Sequence, residues 1–126
     1  MTLILDTGAL TALDTDDRAM WVRLKGALLD AEVPVTHAGA FGHAWTLGSE
    51  QRRLEMALAG MDIRALDEAI ARRASRFIPE SDDGSKFLDA SLVLLATDDD
   101  EIVTSDPKRL TQVATASGLH LELVQT

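Results

Sequence analysis

The chain opens with a short apolar run that ends in an acid, Leu3-Ile4-Leu5-Asp6-Thr7-Gly8. A continuous apolar run of this length is typical of a strand that is buried on both faces of a parallel sheet. A second such run, Ile102-Val103-Thr104, comes near the end of the chain and is followed by Ser105-Asp106-Pro107. Ligands bind beyond the carboxyl ends of parallel strands, so the two runs predict that Asp6 and Asp106 share one rim of the sheet.

Helical stretches and short extended runs alternate along the rest of the chain. Extended runs are predicted at 33–36, 62–66 and 119–124, and Pro107 suits the first turn of a helix that ends near Gly118. Alternating elements of this kind predict one α/β domain over residues 1–126, with a mostly parallel sheet covered by helices. Helical spacing predicts the other helices at 9–13, 17–30, 41–47, 51–58, 67–77 and 85–97.

Composition narrows the functional classes. The chain has 126 residues, a net charge of −9 and no cysteine, which excludes disulfides and thiolate metal sites and agrees with a cytoplasmic location. We expect neither a secretory signal nor a membrane role, because the N-terminal apolar run is only three residues long. The acidic balance argues against nucleic-acid binding unless the carboxylates gather around a divalent cation, which reverses the local field.

A third carboxylate, Asp89, lies in Phe87-Leu88-Asp89-Ala90, on a strongly apolar predicted helix. A charge there is costly unless it is paired or holds a metal. Three converging carboxylates repel one another, whereas Mg²⁺ is held by a few carboxylates and waters and can activate a water against a phosphodiester. Simpler roles stay open, since Asp6 or Asp106 could cap the next helix and Lys86 could pair with Asp89.

Three motifs resemble those of PIN domains, in particular the VapC-type toxins of bacterial toxin–antitoxin pairs. They are Ile4-Leu5-Asp6-Thr7-Gly8-Ala9-Leu10, Phe87-Leu88-Asp89-Ala90 and Ile102-Val103-Thr104-Ser105-Asp106-Pro107. The resemblance implies a three-layer α/β/α fold and a Mg²⁺- or Mn²⁺-dependent endoribonuclease. It implies that Asp6, Asp89 and Asp106 are catalytic metal ligands and that Thr104 supports the pocket by hydrogen bonding. It also implies RNA as substrate and an antitoxin as partner, and it leaves a homodimer open.

Two departures from the family pattern support an alternative. The usual Glu of the second helix is absent from Gly42-His43-Ala44-Trp45, and Lys86 stands where an acid is common. His43 is a candidate substitute ligand, better suited to Mn²⁺ than to Mg²⁺. Lys86 could tether Asp89, contact a substrate phosphate or take the place of the metal. The alternative prediction is therefore a catalytically degenerate PIN domain that acts as a binding module.

Two other enzyme classes fit the sequence less well. The stretch Leu5-Asp6-Thr7-Gly8-Ala9 also resembles the Asp-Thr-Gly loop of retroviral-type aspartic proteases, but those chains are nearly all β and this one is dominated by helical periodicity. Haloacid-dehalogenase enzymes carry a second acid two residues after the first, where this chain has Gly8. A metal-dependent ribonuclease is the main expectation.

Two sets of charged residues are predicted to be mostly solvent-exposed surface residues. The acidic run 98–101 is predicted to be a solvated turn. Most of the arginines are predicted to lie on solvated helix faces, with Lys108 and Arg109 closer to Asp106.

Overall fold

The protein is described by a computed structural model that covers residues 1–47, 51–78 and 86–126. Its strands are β1 (Leu3–Leu5), β2 (Val35–His37), β3 (Asp62–Arg64), β4 (Glu101–Thr104) and β5 (Glu122–Gln125). They form one sheet in the order β3-β2-β1-β4-β5, and every neighbouring pair is parallel. The predicted α/β fold with a mostly parallel sheet is confirmed.

Seven α-helices in the described part of the chain cover this sheet. They are α1 (Thr7–Asp14), α2 (Arg18–Leu29), α3 (Ala38–Leu47), α4 (Arg52–Leu58), α5 (Glu68–Ala74), α6 (Phe87–Val93) and α7 (Pro107–Ser117). A single 3₁₀ turn, Ser75–Phe77, follows α5. Helix α1 contacts α2, α3 and α4, whereas α6 contacts α5 and α7. The chain crosses the sheet in one direction from β1 to β3 and in the other direction from β3 to β5. Because connections between parallel strands are right-handed, the helices of these two halves lie on opposite faces of the sheet, which gives three layers.

The order of the strands reverses beside β1. The chain leaves β1 toward β2 and β3, then crosses back to β4 and β5 on the other side. Strands β1 and β4 are paired, with Leu5 opposite Val103, and the Asp6 N–H donates to the Val103 carbonyl at 3.2 Å. In parallel sheets the crevice for a ligand forms at such a point of reversal, beyond the carboxyl ends of the strands.

The two central strands are buried because helices cover both faces. Ile4, Leu5, Ile102 and Val103 are all 0% exposed. This burial is the physical reason for their continuous apolar runs. The sheet therefore gives a rigid floor to the residues that follow β1 and β4.

Several predicted helix boundaries are confirmed by capping contacts. The Asp17 side chain accepts from the Met20 N–H at the start of α2, and Gly118 ends α7 with a φ of 74°. Within its described part, residues 86–97, the apolar helix predicted over 85–97 is regular over Phe87–Val93. The sequence also predicts a break between helices at Gly48-Ser49 and a turn-rich acidic loop over 79–84, and both stretches lie outside the described residues.

The prediction of a solvated turn at 98–101 is wrong for one residue. Asp100 is 4% exposed. Its Oδ1 accepts from the Thr2 N–H at 2.7 Å and its Oδ2 accepts from the Thr97 N–H at 2.8 Å. A buried carboxylate needs such partners, and here they tie the start of β1 to the turn before β4.

No helix in the described ranges is long and apolar enough to span a lipid bilayer.

Candidate functional site

Asp6 lies directly after β1, with its side chain inside the protein. Its Oδ1 accepts from the Ala9 N–H at 2.9 Å and so caps α1. Its Oδ2 is buried and has no hydrogen-bond partner among the described residues. The side chain is 1% exposed. A buried carboxylate oxygen without a partner is costly, so this position favours a nearby cation.

Asp89 is the second buried carboxylate, and a guanidinium already pairs with it. It lies in the first turn of α6 and is 4% exposed. Arg109 donates from Nε to Asp89 Oδ2 at 2.7 Å and from Nη2 to Asp89 Oδ1 at 3.2 Å. Two parallel hydrogen bonds of this kind are the strongest geometry for an arginine–carboxylate pair.

The same guanidinium also reaches Asp6. Arg109 Nη2 lies 3.7 Å from Asp6 Oδ2, and the arginine side chain is 41% exposed. The two carboxylates and this guanidinium are called the Asp6–Asp89 pocket below. Asp6 and Asp89 lie close together, as predicted. The positive charge between them is the guanidinium of Arg109.

Asp106 differs from these two carboxylates in its burial and in its contacts. It is exposed, and its Oδ1 accepts from the Arg109 N–H at 3.2 Å, so it caps α7. Its own N–H donates to Thr104 Oγ1 at 3.0 Å. Thr104 is fully buried beside the pocket. The structure therefore places Asp106 as a helix cap that fixes the turn carrying Arg109.

Burial and an oppositely charged neighbour shift the pKa values of Asp6 and Arg109 in opposite directions. Burial raises the pKa of the Asp6 carboxyl above its ordinary value, and the Asp89 charge adds to this. The Thr104 side chain, the Ala9 N–H and Arg109 act in the opposite direction, although the Thr104 hydroxyl does not complete a hydrogen bond to Oδ2. Burial disfavours the charged guanidinium, but the hydrogen bond and charge of Asp89 outweigh it and raise the pKa of Arg109. The Arg109 guanidinium therefore stays protonated.

Lys86 does not take the position that the sequence left open for it. Its Nζ donates to Gln112 Oε1. Of the roles left open for Lys86, the pairing with Asp89 is not the one observed, and Arg109 binds both oxygens of that carboxylate. The sequence did contain one signal for Arg109, since a cation in the first turn of a helix opposes the helix dipole and needs a compensating anion.

A cavity of about 550 Å³ opens beside the pocket. His43 lies on its wall and is exposed to solvent. Gly8 lets the loop after β4 come close to the start of α1, because a Cβ at this position would lie 2.2 Å from Ser105 Oγ. The cavity is lined by Thr7, Gly8, Thr11, His43, Leu47, Leu88, Asp89, Leu92, Ser105 and Arg109.

The pocket as folded does not fit the metal that the family resemblance implies. Within residues 1–47, 51–78 and 86–126, no three carboxylate, imidazole or thiolate side chains are grouped so that they could hold one metal ion. Among the described residues two carboxylates converge, and a guanidinium takes the space between them. Mg²⁺ binds through one or two carboxylates together with several waters, and the guanidinium occupies the place where the ion and its waters would have to lie.

Sequence reasoning missed a buried histidine that contacts the helix carrying Asp89. His37 follows Thr36 in β2 and is 0% exposed. Its Nδ1 accepts from the Ala40 N–H at 3.0 Å, and its Nε2 lies 2.7 Å from Ser91 Oγ on α6. Burial lowers its pKa. The ring therefore acts as a neutral brace between the start of α3 and the helix that carries Asp89.

Comparison with solved structures supports the PIN-like fold. The chain is similar to a chain in the crystal structure of VapBC2 from Rickettsia felis bound to a DNA fragment from their promoter. The two chains are 11% identical, align with a TM-score of 0.68, and are each covered to 98%. No family model matches the chain, and no curated protein matches it. At this identity the likeness establishes the fold alone.

Proposed function

We propose that this chain is a VapC-like, PIN-fold protein of the toxin–antitoxin type that acts by binding a protein partner and has no metal-dependent nuclease activity. The observation that carries the proposal is that the structure brings together two of the three predicted carboxylates and places Arg109 between them. A metal-dependent hydrolytic centre needs a metal ion with open coordination positions for water and phosphate, and a guanidinium has no such positions.

The charge of the site supports this proposal. Asp6 and Asp89 contribute two negative charges and Arg109 one positive charge, so the trio is left with one negative charge. Lys86 and His43 stand where acids are usual in the resembled family. Each change weakens the attraction for a divalent ion.

Exposed apolar side chains support a protein partner. Val22 and Leu29 on α2 are 63% and 87% exposed, and Met56 on α4 is 66% exposed. A cavity of about 530 Å³ between these helices is lined by Trp21, Met56 and several basic residues. Exposed apolar surface rimmed by polar groups is typical of interaction sites. By analogy with the VapBC2 complex, the partner is an antitoxin, and the proposed location is the cytoplasm.

A second candidate function is the metal-dependent endoribonuclease of the main sequence prediction. One observation favours it, the buried and unpartnered Asp6 Oδ2. In that candidate Arg109 leaves the pocket, and Asp6, Asp89 and Asp106 hold Mg²⁺ or Mn²⁺. RNA is then a substrate.

Cleavage and partner binding separate the two candidates. The purified chain is incubated with end-labelled RNA in Mg²⁺ or Mn²⁺, next to an Asp6→Asn/Asp89→Asn control. We expect no cleavage above that control, and a stable complex when the chain is co-expressed with the protein encoded beside it. Metal-dependent cleavage that the control loses would establish the nuclease instead. Failure to form the complex would refute the partner-binding role.

A further inference from the structure

We infer that Arg109 is an internal substitute for a divalent cation, because its guanidinium lies between Asp6 and Asp89 and keeps an ion out. The inference deepens the proposed function, because it explains why the pocket has no metal-dependent nuclease activity. Its biological meaning rests on that proposed function. Its physical content can be tested without any measurement of activity.

The first argument is the demand for a cation. Asp6 Oδ2 has no hydrogen-bond partner in the described part of the chain, and its side chain is 1% exposed. Asp89 is also buried. Two buried carboxylates at one place repel each other unless a positive charge stands between them. Arg109 Nη2 meets this demand, at 3.2 Å from Asp89 Oδ1 and 3.7 Å from Asp6 Oδ2.

The second argument is the position of the cation in its helix. Pro107 is the first residue of α7, so Arg109 lies in its first turn. The positive end of the helix dipole disfavours a cation there. Asp106 accepts from the Arg109 N–H and fixes this turn. The guanidinium is therefore held in the pocket by its carboxylates, against the preference of its own helix.

The third argument is access. Asp89 and Arg109 both line the cavity of about 550 Å³, and the Arg109 side chain is 41% exposed. A hydrated ion can thus reach the carboxylates once the guanidinium is gone. Shortening this one side chain should convert the pocket from a closed ion pair into an open divalent-cation site.

Mn²⁺ titration, followed by loss of the electron paramagnetic resonance signal of free Mn²⁺, tests this inference on the full chain. We expect Arg109→Ser to bind Mn²⁺ about tenfold or more tightly than the wild type, because a positive charge a few ångströms from the ion is removed. Lys108→Ser is the matched control, since it removes an exposed positive charge from the same turn. Arg109→Lys keeps the charge and should bind as weakly as the wild type.

A second pair of variants assigns the ion to the pocket. Adding Asp6→Asn to Arg109→Ser should return Mn²⁺ binding to the wild-type level. If Arg109→Ser does not fold, as judged by circular dichroism, Arg109→Gln keeps the length of the side chain without its charge. Equal Mn²⁺ binding by Arg109→Ser and Lys108→Ser would overturn the inference, as would tight, Asp6-dependent binding by the wild type. RNA cleavage by the wild type without bound Mn²⁺ would instead refute only the proposed function.

Discussion

His37 donates the proton on Nε2 to the hydroxyl of Ser91, 2.7 Å away. The tautomer follows from the other ring nitrogen, because Nδ1 accepts from the Ala40 N–H and so carries no proton. Ser91 passes the chain on to the Leu88 carbonyl at 2.8 Å. The three hydrogen bonds join the end of β2 to α3 and α6. The bond from the Ala40 N–H requires a neutral ring, because a protonated Nδ1 cannot accept it.

This brace predicts a loss of stability in mild acid. Burial lowers the pKa of His37, so below its ordinary value of 6.5 the unfolded chain takes up a proton more readily than the folded chain. The contribution of the neutral ring to stability is therefore fully present above a pH of about 6.5. As the pH drops below this value, the free energy of unfolding falls by up to about 1.4 kcal/mol per pH unit. His37→Asn should remove this slope from urea-unfolding free energies measured across the range. His120→Asn, at an exposed site, should keep it. An unchanged slope in His37→Asn would contradict the prediction.

Asp6 predicts the opposite pH dependence. Burial raises the pKa of Asp6 in the folded chain, so the folded chain binds this proton more tightly than the unfolded chain does, and the resulting contribution to stability is complete below 3.8, the ordinary value. That contribution is lost as the pH rises through the folded-state pKa. The unfolding free energy of Asp6→Asn should therefore increase relative to the wild type as the pH rises above 3.8. The control is Asp106→Asn, which removes one carboxylate from an exposed site and retains a good capping side chain, and the effect of burial is the difference between the trends of the two variants. A flat difference for Asp6→Asn would refute the raised pKa.

The sequence predicts the strand-end aspartates well because strand ends and helix caps are local features. The apolar runs before Asp6 and Asp106 are explained by burial of β1 and β4, and the predicted parallel sheet places both residues at one rim. What the side chains contact there is a tertiary matter. Asp106 turns to the N–H of Arg109, and Arg109 rather than Lys86 reaches Asp89. Helical periodicity does not encode which of two nearby cations enters a pocket.

Gly8 is predicted to be intolerant of even one methyl group. A Cβ there would lie 2.2 Å from Ser105 Oγ and 2.6 Å from Ser105 Cβ, so the loop after β4 would have to move. Gly8→Ala should cost about 1–3 kcal/mol in urea unfolding, the usual range for overpacking. Gly26→Ala is the matched control, because α2 has open space at that position. It should stabilise the protein by up to about 1 kcal/mol through helix propensity. Equal effects of the two substitutions would show that the close approach to Ser105 is unimportant.

The ion pair between Asp89 and Arg109 should be coupled far more strongly than an exposed pair of the same type. A double-mutant cycle with Asp89→Asn and Arg109→Gln isolates the coupling in the free energy of unfolding. We expect about 1–3 kcal/mol, below the value for a fully buried pair because the guanidinium is 41% exposed.

Glu68 and Arg72 provide the comparison, since their shortest bond is also 2.7 Å but both side chains are more than three-quarters exposed. The cycle with Glu68→Gln and Arg72→Gln should give only about 0.3–0.5 kcal/mol, as for other pairs four residues apart on a helix. Raising the salt concentration should weaken the Glu68–Arg72 coupling more than the Asp89–Arg109 coupling, because buried charges are screened less. Equal couplings in the two cycles would mean that burial does not strengthen the Asp89–Arg109 pair, and that Arg109 is held in the pocket no more firmly than an arginine on the surface.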